Sequence, residues 1–326
     1  MVRDLEDSNN IFDIVGIGSC LVDYIALVPK IIGPEEKVNG SHIHVEAGGP
    51  TINNLVQAAR LGLRTTWIGK IGDDENGKII QEMFSKECIN DENTIIVPNG
   101  TSAFTWIPVD PDGQRCIYMF SNVTKTLTSS EVSQYFENTI KHSRTFHSEI
   151  CQIPLEPIVT GMLLARSSGV RTIIDLDVDV KIFVEQTKLG DYSQLATVFA
   201  LTDVLKASAK IALEMTHSST FDQAAQKIFK MGPRLVVLTD GANGSYFFDE
   251  NRSTYIPGYK VNVIDSTGAG DAFMGGLSYG LLMGWNNKEI GKFANACGAI
   301  CCTRLGAQQS GNLNEIVDLM NQYRDN

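Results

Sequence analysis

The chain alternates two hydrophobic patterns. Short runs rich in branched apolar residues, IFDIVGI (11–17), TTWIGKI (65–71), RTIIDL (171–176), ATVFAL (196–201) and RLVVLTD (234–240), have the length and composition of buried strands. Between and beside them lie stretches with apolar residues at helical spacing, such as TINNLVQAARLG (51–62) and NGKIIQEMFSKECI (76–89). Strands that alternate with helices imply a mostly parallel sheet with both faces covered.

Two stretches break this rhythm, from Cys20 to Glu46 and from Thr101 to Phe120. They hold strand-like pieces (SHIHVE, SAFTWIPV, RCIYMF) and a turn at Asp110-Pro-Asp-Gly113, with no helical pattern between them. The expected organisation is therefore an α/β body, residues 1–19, 47–100 and 121–326, with a β lid of residues 20–46 and 101–120 inserted into it. The chain shows no internal repeat and no low-complexity linker.

Composition narrows the partners. With 27 basic against 38 acidic residues the formal charge is −11, which argues against nucleic acid or an anionic membrane and for a small molecule. No apolar run approaches the roughly 20 residues of a membrane span. The opening MVRDLEDSNN lacks the basic start and apolar core of a secretory signal, so a cytoplasmic location is expected. The seven cysteines fit reduced, packed thiols; Cys297, Cys301 and Cys302 cluster without the spacing of a zinc site.

The chemistry gathers around IDSTGAGDAFMGG (264–276). Small residues leave the N–H groups of Thr267, Gly268, Ala269 and Gly270 uncovered at the start of an apolar helix, an anion hole with Asp271 immediately behind it as a base. An ordinary carboxylate, with a pKa of about 3.9, is ionised at neutral pH without special tuning. Two other segments carry polar groups of interest. Ala47-Gly-Gly-Pro-Thr-Ile-Asn53 opens a helix closed by Gly62, and Asp23 follows the first strand, where a carboxylate can accept two hydroxyl hydrogen bonds from a vicinal diol. Gly16 and Gly18 lack the third glycine of a dinucleotide fingerprint.

These segments, in this order from Val15 to about Gly306, resemble the signatures of the ribokinase/PfkB-type carbohydrate kinases. The resemblance implies a ribokinase-like α/β fold, with helices on both faces of a central sheet and a small β lid, and transfer of the ATP γ-phosphoryl group to a sugar-like hydroxyl. It implies Asp271 as catalytic base, Gly268, Ala269 and Gly270 as stabilisers of phosphoryl charge, and Asp23, Gly48, Gly49 and Asn53 as the acceptor site. Gly72-Asp-Asp-Glu-Asn-Gly77 matches a family turn on the substrate side. Thr239 and Gly241 in LTDGANG, the glycines of the GAG step, and Asn295 and Gly306 in KFANACGAICCTRLGA would border ATP. Magnesium is the expected metal, with potassium at Asp265 and Thr267, and pairing of lids implies a homodimer.

The chain also departs from the family pattern. Where an N-x-x-E step that organises magnesium is usual, DVLKASAKI supplies Ser208 and Ile211, with Glu214 three residues out of register. Asp175, Asp177 and Asp179 alternate like the start of a calcium loop, but the sixth-place glycine is missing and Gln186 stands at the glutamate position, so calcium is rejected. They read instead as a strand end facing the cleft. His42 and His44 read as lid packing. A nucleoside acceptor, clamped by Phe104, Trp106, Tyr118 and Phe120, and a catalytically quiet sugar-responsive binding protein stay open beside the sugar kinase.

Overall fold

The computed structural model describes residues 11–323; MVRDLEDSNN, on which the reading of the N-terminus rests, lies outside them. Thirteen strands are described: β1 (Phe12–Ile17), β2 (Leu21–Leu27), β3 (His42–Gly48), β4 (Thr65–Gly72), β5 (Thr94–Val97), β6 (Phe104–Val109), β7 (Tyr118–Phe120), β8 (Ser143–Ile150), β9 (Arg171–Leu176), β10 (Val204–Ser208), β11 (Leu235–Thr239), β12 (Gly244–Phe248) and β13 (Ser253–Pro257). Nine form one sheet in the order β13-β12-β11-β10-β9-β8-β1-β4-β5. Its strands run parallel from β5 to β11, and β12 and β13 add an antiparallel edge.

Strand order reverses at β1, which pairs with β4 on one side and β8 on the other. In open α/β sheets ligands bind outside the carboxyl ends of the strands at such a switch point. Gly18 and Ser19, just beyond that end of β1, and Glu149 and Ile150, the last residues of β8, therefore mark where a small molecule belongs. β4 is buried along all eight residues, as a strand inside a parallel sheet must be. Its Trp67 is fully buried beside Phe84 and donates its indole N–H to the Gly18 carbonyl at 3.1 Å, so core packing holds the rim of the switch point.

ATVFAL, expected as a strand, is the end of a helix, Tyr192–Leu201. Asp191 and Gln194 cap it reciprocally, and this capping box decides what a short apolar run cannot decide by periodicity. The parallel strands β8 and β10 carry buried polar residues among their apolar ones, which masks them as strands.

The second sheet has the order β3-β2-β6-β7, with β2 and β6 parallel and the outer pairs antiparallel. Its register divides it into two faces. Asp23 pairs with Glu46 and Thr105, whereas Tyr24 pairs with Trp106 and Val45, so alternate residues point to opposite sides. Phe104, Trp106, Tyr118 and Phe120 share the face opposite Asp23, and Phe104 stacks on Phe120 at 4.5 Å between ring centres. Among the described residues no helix is long and apolar enough to cross a membrane.

Trp67→Ala would open a cavity under β1 and strip the Gly18 carbonyl of its donor. The expected loss is about 3–5 kcal/mol of unfolding free energy, read from urea denaturation as a lower midpoint with an unchanged slope.

Candidate active site

Two helices with unusual beginnings face each other at the centre. The first, Pro50–Arg60, starts at Gly49, whose φ of 112° only glycine adopts readily, and Pro50 fits its first turn because no N–H is needed there. The second, Ala269–Leu282, starts at Gly268 with φ 76°. A Cβ at Gly275 would lie 2.6 Å from Gln57 Cβ, and one at Gly276 would lie 2.6 Å from Cys297 Sγ. The paired glycines of the motif thus let helices approach this segment on two sides.

Across the first contact Asn53 Nδ2 donates to Asp271 Oδ2 at 2.8 Å, with both residues buried. Asn53 Oδ1 is buried and has no partner. Next to it, a Cβ at Gly48 would lie 2.4 Å from Asp23 Oδ2 and 4.0 Å from Asn53 Oδ1. Asp23, Gly48, Asn53 and Asp271, gathered from β2, β3 and two helices, therefore converge, with Gly49 capping the helix that holds Asn53. Asp23 also accepts from the Thr105 hydroxyl.

Reading the sequence alone missed Glu149. It is next to last in β8, accepts the Ser19 N–H at 2.6 Å through Oε1, and keeps Oε2 buried without a partner. A Cβ at Gly18 would lie 2.1 Å from that oxygen and 1.9 Å from Thr51 Oγ1. The available signal was a carboxylate inside a run, SRTFHSEI, that is otherwise fit for a core strand. Nearby, Asn54 donates to His147 Nδ1 at 3.0 Å and the ring faces Ser278 Oγ at 3.3 Å through Nε2. Burial drives the His147 pKa down to about 3, so the neutral ring accepts at one nitrogen and donates at the other. Ser278 spends its own proton on the Met274 carbonyl, and the chain of bonds ties both helices to β8.

The ordinary carboxylate expected at Asp271 is not what the structure holds. Burial pushes its pKa well above the usual range, and the charge of Asp177 adds to this; Lys206 and the Asn53 hydrogen bond oppose both. Burial likewise raises Glu149 to about 8 and Asp175 to about 6, the latter opposed by Lys206. Asp23 rises to about 6 by burial, against its bond from Thr105 and with repulsion from Glu46. Four carboxyls are held here at a cost in hydration, a pattern that clusters at functional sites.

A cleft of about 530 Å³ opens on the other side of the glycine loop, lined by Thr239, Gly241, Ala269, Gly270 and Asn295 among others. Its volume is within the range of small-molecule and cofactor pockets. Asn295 braces its wall by donating to the Ile256 and Pro257 carbonyls at 3.1 Å each. Gly306 is not among the cleft residues; its N–H donates to Asp265 Oδ2 at 3.0 Å. Asp265 Oδ1 accepts from the Thr267 N–H at 2.9 Å and hydroxyl at 2.7 Å, and Arg115 of the lid donates to that hydroxyl at 2.8 Å. Burial alone would raise Asp265, but the Thr267 and Gly306 bonds hold it below the usual range. With three donors on one carboxylate and a guanidinium against Thr267, these side chains do not by themselves make a potassium site.

A protein-held magnesium does not fit either. Ser208 caps the Ala209–Thr216 helix by accepting the Ile211 N–H at 3.2 Å, and Glu214 is exposed about 9 Å farther along that helix. Among the described residues no three His, Cys, Asp or Glu side chains form a metal cluster. Asp175, next to last in β9, accepts from Lys206 at 2.8 Å, Asp179 caps the next turn through the Lys181 and Ile182 N–H groups, and His44 meets Glu46 on the small sheet. Asp74 of the turn at residues 72–77 caps the Glu75–Lys86 helix and accepts from Ser102, while Asn76 accepts from Tyr24 of the small sheet.

This constellation sits on a fold whose family is plain. Residues 12–314 match the pfkB family carbohydrate kinases, and the chain belongs to that family. It is 26% identical over 306 residues to fructokinase-2 of Oryza sativa subsp. japonica, covering 90% of this chain and 89% of that one. In structure it is similar to the ribokinase of Arabidopsis thaliana complexed with ribose and ATP, with a TM-score of 0.83, 20% identity, and coverage of 95% of this chain and 98% of that one. It is also similar to a putative ribokinase II from E. coli in complex with ATP and magnesium, with a TM-score of 0.82, 21% identity, and coverage of 96% and 100%. The fold is ribokinase-like.

The raised pKa of Glu149 has a thermodynamic consequence. Because its folded value of about 8 exceeds its ordinary 4.5, folding takes up a proton between the two. Its contribution to stability is complete below the lower value and is lost as pH rises through the upper one. Thermal unfolding followed at about pH 6 and about pH 9 should show wild type losing stability with rising pH, and Glu149→Gln losing less. Equal slopes for the two proteins would mean that Glu149 is not held protonated.

Proposed function

We propose that this protein transfers the γ-phosphoryl group of ATP to a hydroxyl of a neutral, sugar-like acceptor, with Asp271 as general base. The observation that carries this reading is the buried Asn53–Asp271 pair at the foot of the glycine loop, where the acceptor residues and the cleft adjoin. The acceptor hydroxyl gives its proton to Asp271 as its oxygen bonds to the γ-phosphorus. The bond to ADP breaks, and ADP leaves with the electron pair. The N–H groups of Gly268 and Gly270 hold the phosphoryl oxygens, aided by the positive end of the helix, while those of Thr267 and Ala269 brace the loop through Asp265 and the Ser266 carbonyl. Asp23, Glu149 and Asn53, with Gly48 and Gly49 leaving room, orient the acceptor, and the acidic lining favours hydroxyls over an anionic substrate. ATP occupies the cleft between Thr239, Gly241 and Asn295, bringing magnesium with its phosphates and water.

The lid aromatics that a nucleoside acceptor would need lie on the face opposite Asp23, which favours the sugar over the nucleoside. That outer face carries exposed Ile43, Trp106, Tyr118 and Phe120 around a groove of about 1000 Å³. It suits pairing with the lid of a second copy.

ADP release with magnesium, measured across ketohexoses, aldohexoses, pentoses, sugar acids and nucleosides, should single out a neutral sugar. Asp271→Asn should lower kcat by about 10²–10⁴-fold. Binding without turnover for every acceptor would support the quiet binding protein instead. For assembly, sedimentation should report a dimer that Trp106→Asp converts to monomer, since a charge in the middle of an apolar interface opposes its burial.

A further inference from the structure

One wall of the cleft beside the glycine loop is made by a stretch of chain that belongs to no strand or helix. It runs from the end of β13 towards the loop, and Gly258, Tyr259, Lys260, Val261 and Val263 line the cleft from it. Its two ends are tied down. Asn295 donates to the Pro257 carbonyl at 3.1 Å and the Gly258 N–H to the Asn243 carbonyl at 3.3 Å, while the Ile264 N–H donates to the Cys302 carbonyl at 2.8 Å. Between those ties there is no strand ladder, and Val263 is 60% exposed, so burial holds the stretch only in part.

The middle of the wall is held from outside. The Tyr323 hydroxyl donates to the Lys260 carbonyl, and its ring meets Tyr259 edge-on, 5.0 Å between centres and 86° between planes. Tyr323 follows the Leu313–Gln322 helix, whose own place is fixed. Asn312 and Glu315 cap that helix reciprocally, and its Ile316 and Leu319 are buried. Just before it, Gln57 donates to the Gly311 carbonyl at 2.9 Å and Arg60 to the Gln308 and Ser310 carbonyls at 2.7 Å each, so the Pro50–Arg60 helix anchors the approach.

We propose that Tyr323 is a positioning residue for the phosphoryl donor, holding the wall of Tyr259, Lys260 and Val261 against the nucleoside half of ATP. This rests on the kinase reading and extends it to a residue that touches neither substrate. Two features favour this role over plain packing. Tyr323 is 41% exposed, so its ring adds little to a core that the helix joins through Ile316 and Leu319. Its hydroxyl goes to a carbonyl flanked by two cleft residues, where a brace sets the shape of the cleft. With the phosphates on the glycine loop, this wall is left to the base and ribose. A wall ordered beforehand spares the nucleotide the cost of ordering it.

The test compares wild type with Tyr323→Phe, which keeps the ring and loses the hydrogen bond, and Tyr323→Ala, which loses both. By calorimetry, ADP should bind about threefold more weakly to Tyr323→Phe and about tenfold more weakly to Tyr323→Ala. Inhibition by inorganic tripolyphosphate, which has no nucleoside, should be the same in all three proteins. With the best acceptor, KM for ATP should rise by the same factors as the ADP dissociation constant, while kcat and KM for the acceptor stay within about twofold of wild type. Thermal midpoints without ligand should agree within about 2 °C, as expected for a change at a partly exposed side chain. Unaltered ADP affinity in Tyr323→Ala would overturn the proposal. Equal losses for ADP, tripolyphosphate and the acceptor would overturn it too, because they mark a general loosening of the fold. Wild type that binds ADP but turns over no acceptor would instead defeat the kinase reading, with the brace still measured on ADP alone.

Discussion

The hydrogen bond from Asn53 to Asp271 is the contact on which the geometry of the centre depends. It joins residues 218 positions apart in the chain. Each partner sits in the first turn of a helix that begins at a glycine with positive φ, so both side chains are delivered by backbone conformations and not by flexible stems. Gly275 against Gln57 sets the distance between the helices, and the Asn54–His147–Ser278 chain sets their rotation against β8. An asparagine suits this place because its amide can donate to a carboxylate while its carbonyl oxygen stays available, unpartnered, on the Asp23 side.

Around this bond the protein holds an electrostatic arrangement that works against its own stability. Glu149, Asp175 and Asp271 are all buried, and burial raises the pKa of each. Lys206 is the buried cation among them, and it cannot satisfy all three. Such a site persists because the rest of the sheet is apolar and close-packed, as in β4 with Trp67 and the neighbouring Phe84. The core supplies the stability that the polar centre costs, and it does so at the switch point, where strand order opens a crevice.

Parts of this were legible in the sequence, and the reasons are local. The glycine loop before Asp271 and the Gly-Gly-Pro start before Asn53 are short-range instructions to the backbone, readable from a few consecutive residues. The alternation of patterns pointed to a parallel sheet, and the two interruptions correspond to the strands of the small sheet. What failed to read was short or mixed. ATVFAL is apolar enough for a strand, and only the Asp191–Gln194 cap makes it helical. β8 and β10 carry His147, Glu149 and Lys206 at positions where an apolar residue would have declared a core strand. Arg115, which crosses from the lid to Thr267, gave no signal because its partner is 152 residues away.

The sequence by itself determined the family, the class of fold and the residues at the two helix starts, because these depend on backbone conformations that particular residue types permit. Only the tertiary structure decided how those residues are charged and which others join them. The register of β8, β9 and β10 brings Glu149, Asp175 and Lys206 to the same crevice, and a side chain's burial there sets its pKa. Burial belongs to the packed sheet and its helices together, and no stretch of residues carries it alone.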